Sequence, residues 1–184
     1  MFRCTKDDTP SGDGCSLYFD GSNDLVKVIQ VLPSSITISG WAKLINFAQV
    51  QNTFINSNPH TVLAISLNRT GIGDIYVYIG NGAGWIGVPG IISSTNMVVN
   101  KWHQVTYTAN NTTSKLYLDG KLVGSVNIVP SNWGSYYNFG ALTPPSQYLK
   151  GFLDNVRIYE QALSEAQIQQ LYAEGAKKHN LAIE

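Results

Sequence analysis

The feature that most restricts the fold of this chain is a succession of short apolar segments separated by turn signals. Residues 16–20 and 25–29 flank the polar turn 21–24, and Asp119-Gly120 is a strong two-residue hairpin signal because glycine tolerates positive φ. Further predicted strands cover residues 36–45, 61–68, 74–79, 102–109, 115–118, 122–128, 136–142 and 149–159. About ten to twelve strands with no internal helix predict an all-β sandwich or barrel.

A single helix is predicted at the C-terminal end, over about residues 164–176. Ser164 is placed to be the N-cap and Gln167 completes a capping box, while Leu163 and Ile168 have the spacing of a hydrophobic staple. Gly175 is interpreted as the residue that ends the helix. The apolar positions share one face at helical spacing, so we expect the helix to lie as a lid on the sandwich.

Length and charge restrict the domain organisation and the partners. The 184 residues are the size of one domain, and we assign residues 16–184 to that domain after a leader of residues 1–15. Twelve basic and twelve acidic residues give a formal net charge of zero, so the chain has no basic field for nucleic acid. No apolar run approaches the roughly 20 residues of a membrane span, which argues against direct membrane insertion.

Both cysteines, Cys4 and Cys15, lie in the leader. A disulfide between them is predicted to hold the leader against the first strand and to stabilise the fold by about 3 kcal/mol. The alternative is two free thiols in a frayed tail. Charged residues are only 13% of the chain, a composition that suits an exported protein, so we expect an extracellular or cell-surface location with any export segment upstream of Met1.

Five motifs follow one another along the chain: SLYFDGSND at 16–24, ITISGWAK at 36–43, WHQVTY at 102–107, LYLDGK at 116–121 and FLDNVRIY at 152–159. In this order they resemble the laminin-G-like domains of the concanavalin A-like lectin/glucanase superfamily. The resemblance runs from about residue 16 to residue 173 and implies a jelly roll, a sandwich of two antiparallel sheets. It also implies carbohydrate or protein binding outside the cell, as one module of a bacterial surface protein or secreted enzyme. The C-terminal helix and its tail look like those of bacterial pilin-like proteins.

The resemblance further implies one structural calcium ion where the first strand meets the last. Its ligands would be the carboxylates of Asp20 and Asp154, with carbonyl help from Asn23 or its neighbours, since calcium prefers six to eight oxygen ligands. An acid within the closing strand also needs a partner if it is buried. The alternative is that Asp20 caps its own turn and that Asp154 pairs with Arg157 or Lys150.

Catalytic function is disfavoured by the distribution of acids. Glycoside cleavage needs two carboxyl groups roughly 5–10 Å apart, and glucanases of this fold place them at alternate positions of one strand. Between Asp24 and Asp154 the sequence has only Asp74, which opens a strand, and Asp119, in a hairpin turn. No GxSxG elbow is present, and His103 at the start of a strand is interpreted as a structural residue. We therefore expect that the chain is not an enzyme.

Aromatic residues on turns are the candidates for ligand contact, because a ring combines an apolar face with a polar edge or tip. The predicted ligand-binding residues are Trp85, Asn81, Trp133, Tyr136 and Tyr148.

These observations predict a non-catalytic extracellular module that recognises carbohydrate or glycoprotein. The alternative is an interaction domain of a pilin-like surface filament, which binds other surface-protein subunits and has no sugar site. A glycoside hydrolase is the third interpretation, and the missing carboxylates argue against it.

Overall fold

The computed structural model describes residues 3–5, 14–49, 51–58, 62–86, 90–131, 134–142 and 146–178. Within these ranges the chain forms thirteen strands followed by the helix α1. The strands are β1 Arg3–Thr5, β2 Ser16–Asp20, β3 Val26–Val28, β4 Ile36–Leu44, β5 Asn52–Asn58, β6 Leu63–Leu67, β7 Ile75–Ile79, β8 Ile91–Ile92, β9 His103–Ala109, β10 Ser114–Leu118, β11 Lys121–Val126, β12 Tyr136–Phe139 and β13 Lys150–Tyr159, and α1 is Glu165–Lys178.

The described strands form two sheets whose pairings are all antiparallel. Sheet A has seven strands in the order β1-β2-β13-β4-β9-β10-β11, and sheet B has six in the order β3-β12-β5-β6-β7-β8. One apolar cluster fills the space between the sheets and includes Ile38, Phe54, Ile65, Val77 and Tyr107. The predicted all-β sandwich with one C-terminal helix is confirmed.

Strand β5 was not predicted, because asparagine is depleted in strands and the segment reads NTFINSN. Tertiary hydrogen bonds explain its strand conformation. The buried Asn52 amide donates to the Gln49 carbonyl at 2.6 Å, and its side-chain oxygen accepts the Lys150 N–H at 2.8 Å. The asparagine side chain therefore ties β5 to the start of β13, a contact that local propensity does not contain.

The cysteine prediction is tested at one of its two residues. Cys15, just before β2, is disulfide-bonded. The side chain of Cys4 lies outside the described residues, so its pairing with Cys15 stays a prediction. Cys4 belongs by its backbone to β1, which pairs with β2, so residues 3–5 of the leader form the edge of sheet A.

Helix α1 begins as the sequence predicts. The Ser164 N–H donates to the Gln167 side chain at 2.9 Å, and the Gln167 N–H donates back to the Ser164 hydroxyl at 3.4 Å, which is a capping box. Leu163 and Ile168 pack together with Tyr117 on the outer face of sheet A, so the predicted lid is confirmed. No helix in the described residues is long and apolar enough to cross a membrane.

The prediction for Gly175 is wrong, because the helix continues to Lys178 and Gly175 is buried inside it. A Cβ atom at this position would lie 2.7 Å from Cε2 of the Trp41 indole and would overlap the ring. Glycine is therefore required for the close approach of α1 to Trp41 and does not terminate the helix.

Replacing Gly175 by alanine should destabilise the domain although alanine is the better helix former. The added methyl group has to displace either α1 or the buried Trp41 ring, which we expect to cost about 1–3 kcal/mol of unfolding free energy in urea denaturation. Gln169→Ala, at an exposed position of the same helix, is the matched control and should change stability by no more than about 0.5 kcal/mol. Equal or greater stability of Gly175→Ala would contradict this account.

Candidate functional site

The two outer faces of the sandwich differ in what covers them. On sheet A, α1 lies over a cluster of Trp41, Trp102 and Ala176, against which Phe152 and Tyr172 pack. The ring of Tyr172 stacks on that of Trp41 with centroids 5.7 Å apart. The helix therefore covers this aromatic cluster on the outer face of sheet A.

A cavity of about 190 Å³ opens on the outer face of sheet B. That volume is below the roughly 300–1,000 Å³ of pockets that enclose a whole small molecule, so it suits one residue or one end of a larger ligand. We call it the sheet B pocket. Its walls include Thr53, Ser66, Arg69, Tyr78, Trp85 and Gln147.

Two buried hydroxyl groups face this pocket from adjacent strands. Thr53 of β5 and Ser66 of β6 are direct cross-strand partners, and they are only 1% and 5% exposed. Neither hydroxyl oxygen has a hydrogen-bond partner among the described residues. Buried hydroxyl groups in folded proteins are normally satisfied, so these two retain unused hydrogen-bonding capacity in the wall of the pocket.

An aromatic wall stands beside the hydroxyl groups. The rings of Tyr78 and Trp85 have centroids 5.6 Å apart, and Tyr76 stacks on Tyr78 at 6.2 Å. The loop that carries Trp85 is held by Asn81, whose side-chain oxygen accepts the N–H groups of Ala83 and Gly84 at 3.0 and 2.9 Å. The wall is therefore fixed in place by the fold.

Arg69 supplies the positive charge of the pocket. Its Nε donates to the Tyr78 hydroxyl at 2.8 Å, and its guanidinium also contacts the side-chain amide of Gln51. The preceding residue, Asn68, is buried and donates to the carbonyls of Phe47 and Gln49, which anchors the turn after β6. Aromatic rings, hydroxyl groups and a guanidinium thus converge on one small volume.

The structure places the predicted ligand-binding residues differently from one another. Trp85 lines the sheet B pocket, whereas Asn81 shapes the loop beneath it. Tyr136 lies below the Lys27 ammonium, 3.8 Å from ring centroid to Nζ, and neither Tyr136 nor Tyr148 is among the lining residues. Trp133 lies outside the described residues. The ligand role of all five stays a prediction.

The sequence did not predict four of the lining residues, because ligand contacts were assigned to aromatic residues on turns. These four lie on or next to strands: Thr53, Ser66, Arg69 and Tyr78. A signal was present in the sequence of β7, IYVYI, whose burial alternates along the strand. Alternation puts both tyrosines on the outer face of sheet B.

The strand register separates Asp20 from Asp154, the two residues predicted to share a calcium ion, and calcium binding by the domain stays a prediction. Asp20 is the cross-strand partner of Lys150, and Asp154 lies four residues further along β13, about 13 Å away at the usual rise per residue. Two carboxylates that bind one calcium ion each need an oxygen 2.3–2.6 Å from it, so they cannot be that far apart. No group of three or more His, Cys, Asp or Glu side chains in the described residues is arranged to hold a metal.

Asp20 instead stabilises its own turn, which was the alternative interpretation. Its side-chain oxygen accepts the Ser22 N–H at 2.7 Å, and Asp24 accepts the Asp20 N–H at 3.0 Å. Asn23 is exposed in the same turn. These two hydrogen bonds stabilise the turn between β2 and β3.

Asp154 lies next to a bulge in β13 and close to the end of α1. Burial raises the pKa of its carboxyl, while the Asn155 N–H, which donates to it at 2.7 Å, and the positive charge of Lys178 lower it and offset part of that effect. The cation identified near Asp154 thus comes from the helix and not from the neighbouring strand positions that the sequence suggested.

His103 has a structural role, as predicted. Its Nε2 accepts the Val98 N–H at 2.9 Å, so Nδ1 carries the proton and donates to the Asp119 carboxylate at 2.7 Å. The pair holds the segment before β9 against the hairpin turn. Asp74, the other acid of this part of the chain, accepts the Thr70 N–H at 2.9 Å in its own turn.

Comparison with known proteins identifies the family of this fold. A laminin G family model, described as the concanavalin A-like lectin/glucanases superfamily, matches residues 20–169. No curated protein matches the chain at a significant level.

Solved structures with the same fold match the chain at low identity. Domain 4 of AbnA, a GH43 extracellular arabinanase from Geobacillus stearothermophilus in complex with arabinotriose, is 20% identical, with coverage of 94% of this chain and 81% of that one and a TM-score of 0.72. A heptameric SAP-like pentraxin from Limulus polyphemus is 15% identical, with coverage of 85% and 81% and a TM-score of 0.68. Identities this low establish a shared fold only.

A toxin binding domain is similar over part of its length. The binding domain of Paraclostridial Mosquitocidal Protein 1 is 20% identical, with a TM-score of 0.72 over 95% of this chain. The match covers 46% of that binding domain, so this chain spans about half of its length.

Calcium should not stabilise the domain if its two proposed ligands are as far apart as the register places them. We expect melting temperatures in excess EDTA and in millimolar calcium chloride to agree within about 1 °C, because a ligand raises stability only where it binds the native state. Magnesium chloride at the same ionic strength is the control for general salt effects. A rise of several degrees with calcium alone would contradict this expectation.

The raised pKa of Asp154 predicts a pH-dependent gain in stability for Asp154→Asn. The folded state holds this proton more tightly than the unfolded state, so the parent loses stability as the pH rises from the ordinary carboxyl value of about 3.9 through the raised pKa. At pH 7 the asparagine variant should therefore melt at a higher temperature than the parent. Differential scanning calorimetry across pH 3 to 7 should show the difference disappearing at the acidic end. A variant that melts lower than the parent at pH 7 would contradict it.

Proposed function

The chain belongs to the concanavalin A-like lectin/glucanases superfamily, and from that premise we propose that it is a non-catalytic module that binds carbohydrate or glycoprotein outside the cell. The observation that carries the proposal is the sheet B pocket, where an aromatic wall stands beside two buried hydroxyl groups without partners among the described residues. Sugars present the complementary surfaces, since a pyranose or furanose ring has apolar C–H faces and a rim of hydroxyl groups.

The distribution of acids supports binding without catalysis. Hydrolysis of a glycosidic bond needs one carboxyl group to protonate the leaving oxygen and another to attack or to activate water. No carboxylate is among the residues that line the sheet B pocket. Asp74 and Asp119 are both engaged in turns, so neither is available as half of a catalytic pair.

The comparisons support the same class of function without naming a ligand. The arabinanase domain was solved with arabinotriose, and the toxin neighbour is itself a binding domain. The position of the pocket also fits a module in a larger protein, because α1 occupies the opposite outer face and leaves sheet B for contact with a partner.

Glycan-array screening followed by calorimetric titration of the tightest glycan should detect binding that depends on the pocket. Trp85→Ala removes the ring and should weaken binding about tenfold or more, and Thr53→Val removes one hydroxyl group and should weaken it about 2- to 10-fold. Loss of an unsatisfied buried hydroxyl should leave the melting temperature of Thr53→Val unchanged or higher.

Ile92→Ala is the matched control, since this half-exposed apolar residue lies on β8 of the same sheet but outside the pocket. We expect it to retain parental affinity. Equal loss of binding in Ile92→Ala and Trp85→Ala would move the site to another part of the face. Absence of any glycan binding, with capture of a defined surface-protein subunit instead, would favour the filament interaction domain.

A further inference from the structure

We propose that the ligand of the sheet B pocket carries an anionic group, a carboxylate or a sulfate on the sugar, and that Arg69 binds it. This inference rests on the proposed function and names the class of glycan that the pocket selects. Three observations carry it: Arg69 is the only charged residue among those that line the pocket, its guanidinium has no acidic partner in the described part of the chain, and the fold holds the guanidinium in place.

The charge of Arg69 is isolated. The remaining lining residues are neutral, and Arg69 forms no ion pair with any residue that the structure describes. Asp74, five positions further along the chain, is buried and directs its carboxylate to the Thr70 N–H. The chain as a whole has a net charge of zero, so the isolated cation is a local property of the pocket and not part of a basic surface.

The two undescribed segments that adjoin the pocket in sequence contain no acid. Residues 87–89 follow the Trp85 loop and read GVP, and residues 143–145 join the lining residues Leu142 and Gln147 and read TPP. Neither segment contains an aspartate or a glutamate. Neutralisation of Arg69 is thus left to an incoming ligand or to solvent ions.

The guanidinium is pre-organised for such a ligand. Its Nε is engaged by the Tyr78 hydroxyl, and Gln51 contacts the other side of the group, so the side chain loses little freedom when a ligand binds. Both partners are neutral acceptors and leave the positive charge intact. Arginine has five N–H donors in a planar fork that matches a carboxylate or a sulfate, and such charge-assisted bonds are stronger than bonds to a neutral hydroxyl.

The remaining parts of the pocket suit the rest of an acidic sugar. The hydroxyl groups of Thr53 and Ser66 can each donate to or accept from ring hydroxyls, and Trp85 offers a ring face. A volume of about 190 Å³ admits one sugar unit or its substituent, so a charged group at one position is enough to set the preference.

The test compares each acidic glycan with its own neutral form. The probes are oligogalacturonates against their carboxyl-reduced galactan counterparts, and sulfated carrageenan oligosaccharides against the desulfated ones, with affinities from calorimetric titration. The parent should bind at least one acidic member about tenfold more tightly than its neutral partner. In Arg69→Gln this ratio should fall to within about twofold of unity, and Arg69→Lys should keep an intermediate ratio.

Two further variants test whether the ratio of acidic to neutral affinity depends on Arg69 in particular. Trp85→Ala should weaken acidic and neutral binding alike and leave the ratio near that of the parent. Arg157→Gln removes an exposed arginine that does not line the pocket and should leave both affinities unchanged. If Arg69→Gln lowers the melting temperature, Arg69→Lys gives the deciding ratio, because lysine retains the charge and a donor.

The outcomes separate the inference from the function on which it rests. Neutral glycans that bind as tightly as acidic ones, or a preference for acidic glycans that survives in Arg69→Gln, would overturn the role of Arg69 and leave carbohydrate binding intact. Binding of the carboxylated but not the sulfated probe, or the reverse, supports the inference and identifies the anion. Failure of every glycan in the panel and on the array would overturn the proposed function itself.

Discussion

The packing of α1 on Trp41 decides which surface of this sandwich is available for function. Gly175 lets the helix approach the indole ring so closely that no side chain fits between them, and Tyr172 stacks on the same ring. The aromatic cluster of sheet A, which would otherwise be an exposed apolar patch, becomes a second small core. The helix does not cover the outer face of sheet B, where the pocket lies.

The same packing accounts for the unusual acid in the closing strand. Between Asp154 and Arg157 the register of β13 against β4 shifts by one residue, and Asn155 takes a left-handed conformation with φ of 47°. Gly40 lies opposite this bulge. A Cβ atom added to Gly40 would lie only 3.0 Å from Cγ2 of Val156. The bulge brings Asp154 under the end of α1, where Lys178 offsets part of the cost of burial. The charge of Lys178 at the end of α1 thus favours the ionised form of an acid that the sequence alone places in an apolar strand.

Sequence reasoning recovered the elements whose signals are local. Alternating strands, the Asp119-Gly120 hairpin and the capping box at Ser164 depend on neighbours within a few positions, and all three are present in the structure. Strand β5 and Gly175 were misread because their explanations are tertiary: Asn52 bonds to Lys150, and Gly175 meets Trp41. Asp20 and Asp154 lie on two strands that pair with each other. The distance between their side chains depends on the register of that pairing, which a single sequence does not determine.

The candidate site was the least predictable part because it is built mainly from strands. Thr53 and Ser66 come from the consecutive strands β5 and β6 and become neighbours through the register of that pairing, and the Arg69 turn joins them through the Tyr78 hydroxyl of β7. Loop aromatic residues were the natural candidates, yet loops supply only part of the wall. Residues on paired strands have fixed positions, so they can hold polar groups at the spacing that a sugar demands. Selectivity in the sheet B pocket should therefore depend on Arg69 and on the polar groups carried by strands. Trp85 should add affinity for ring-shaped ligands in general without distinguishing between them.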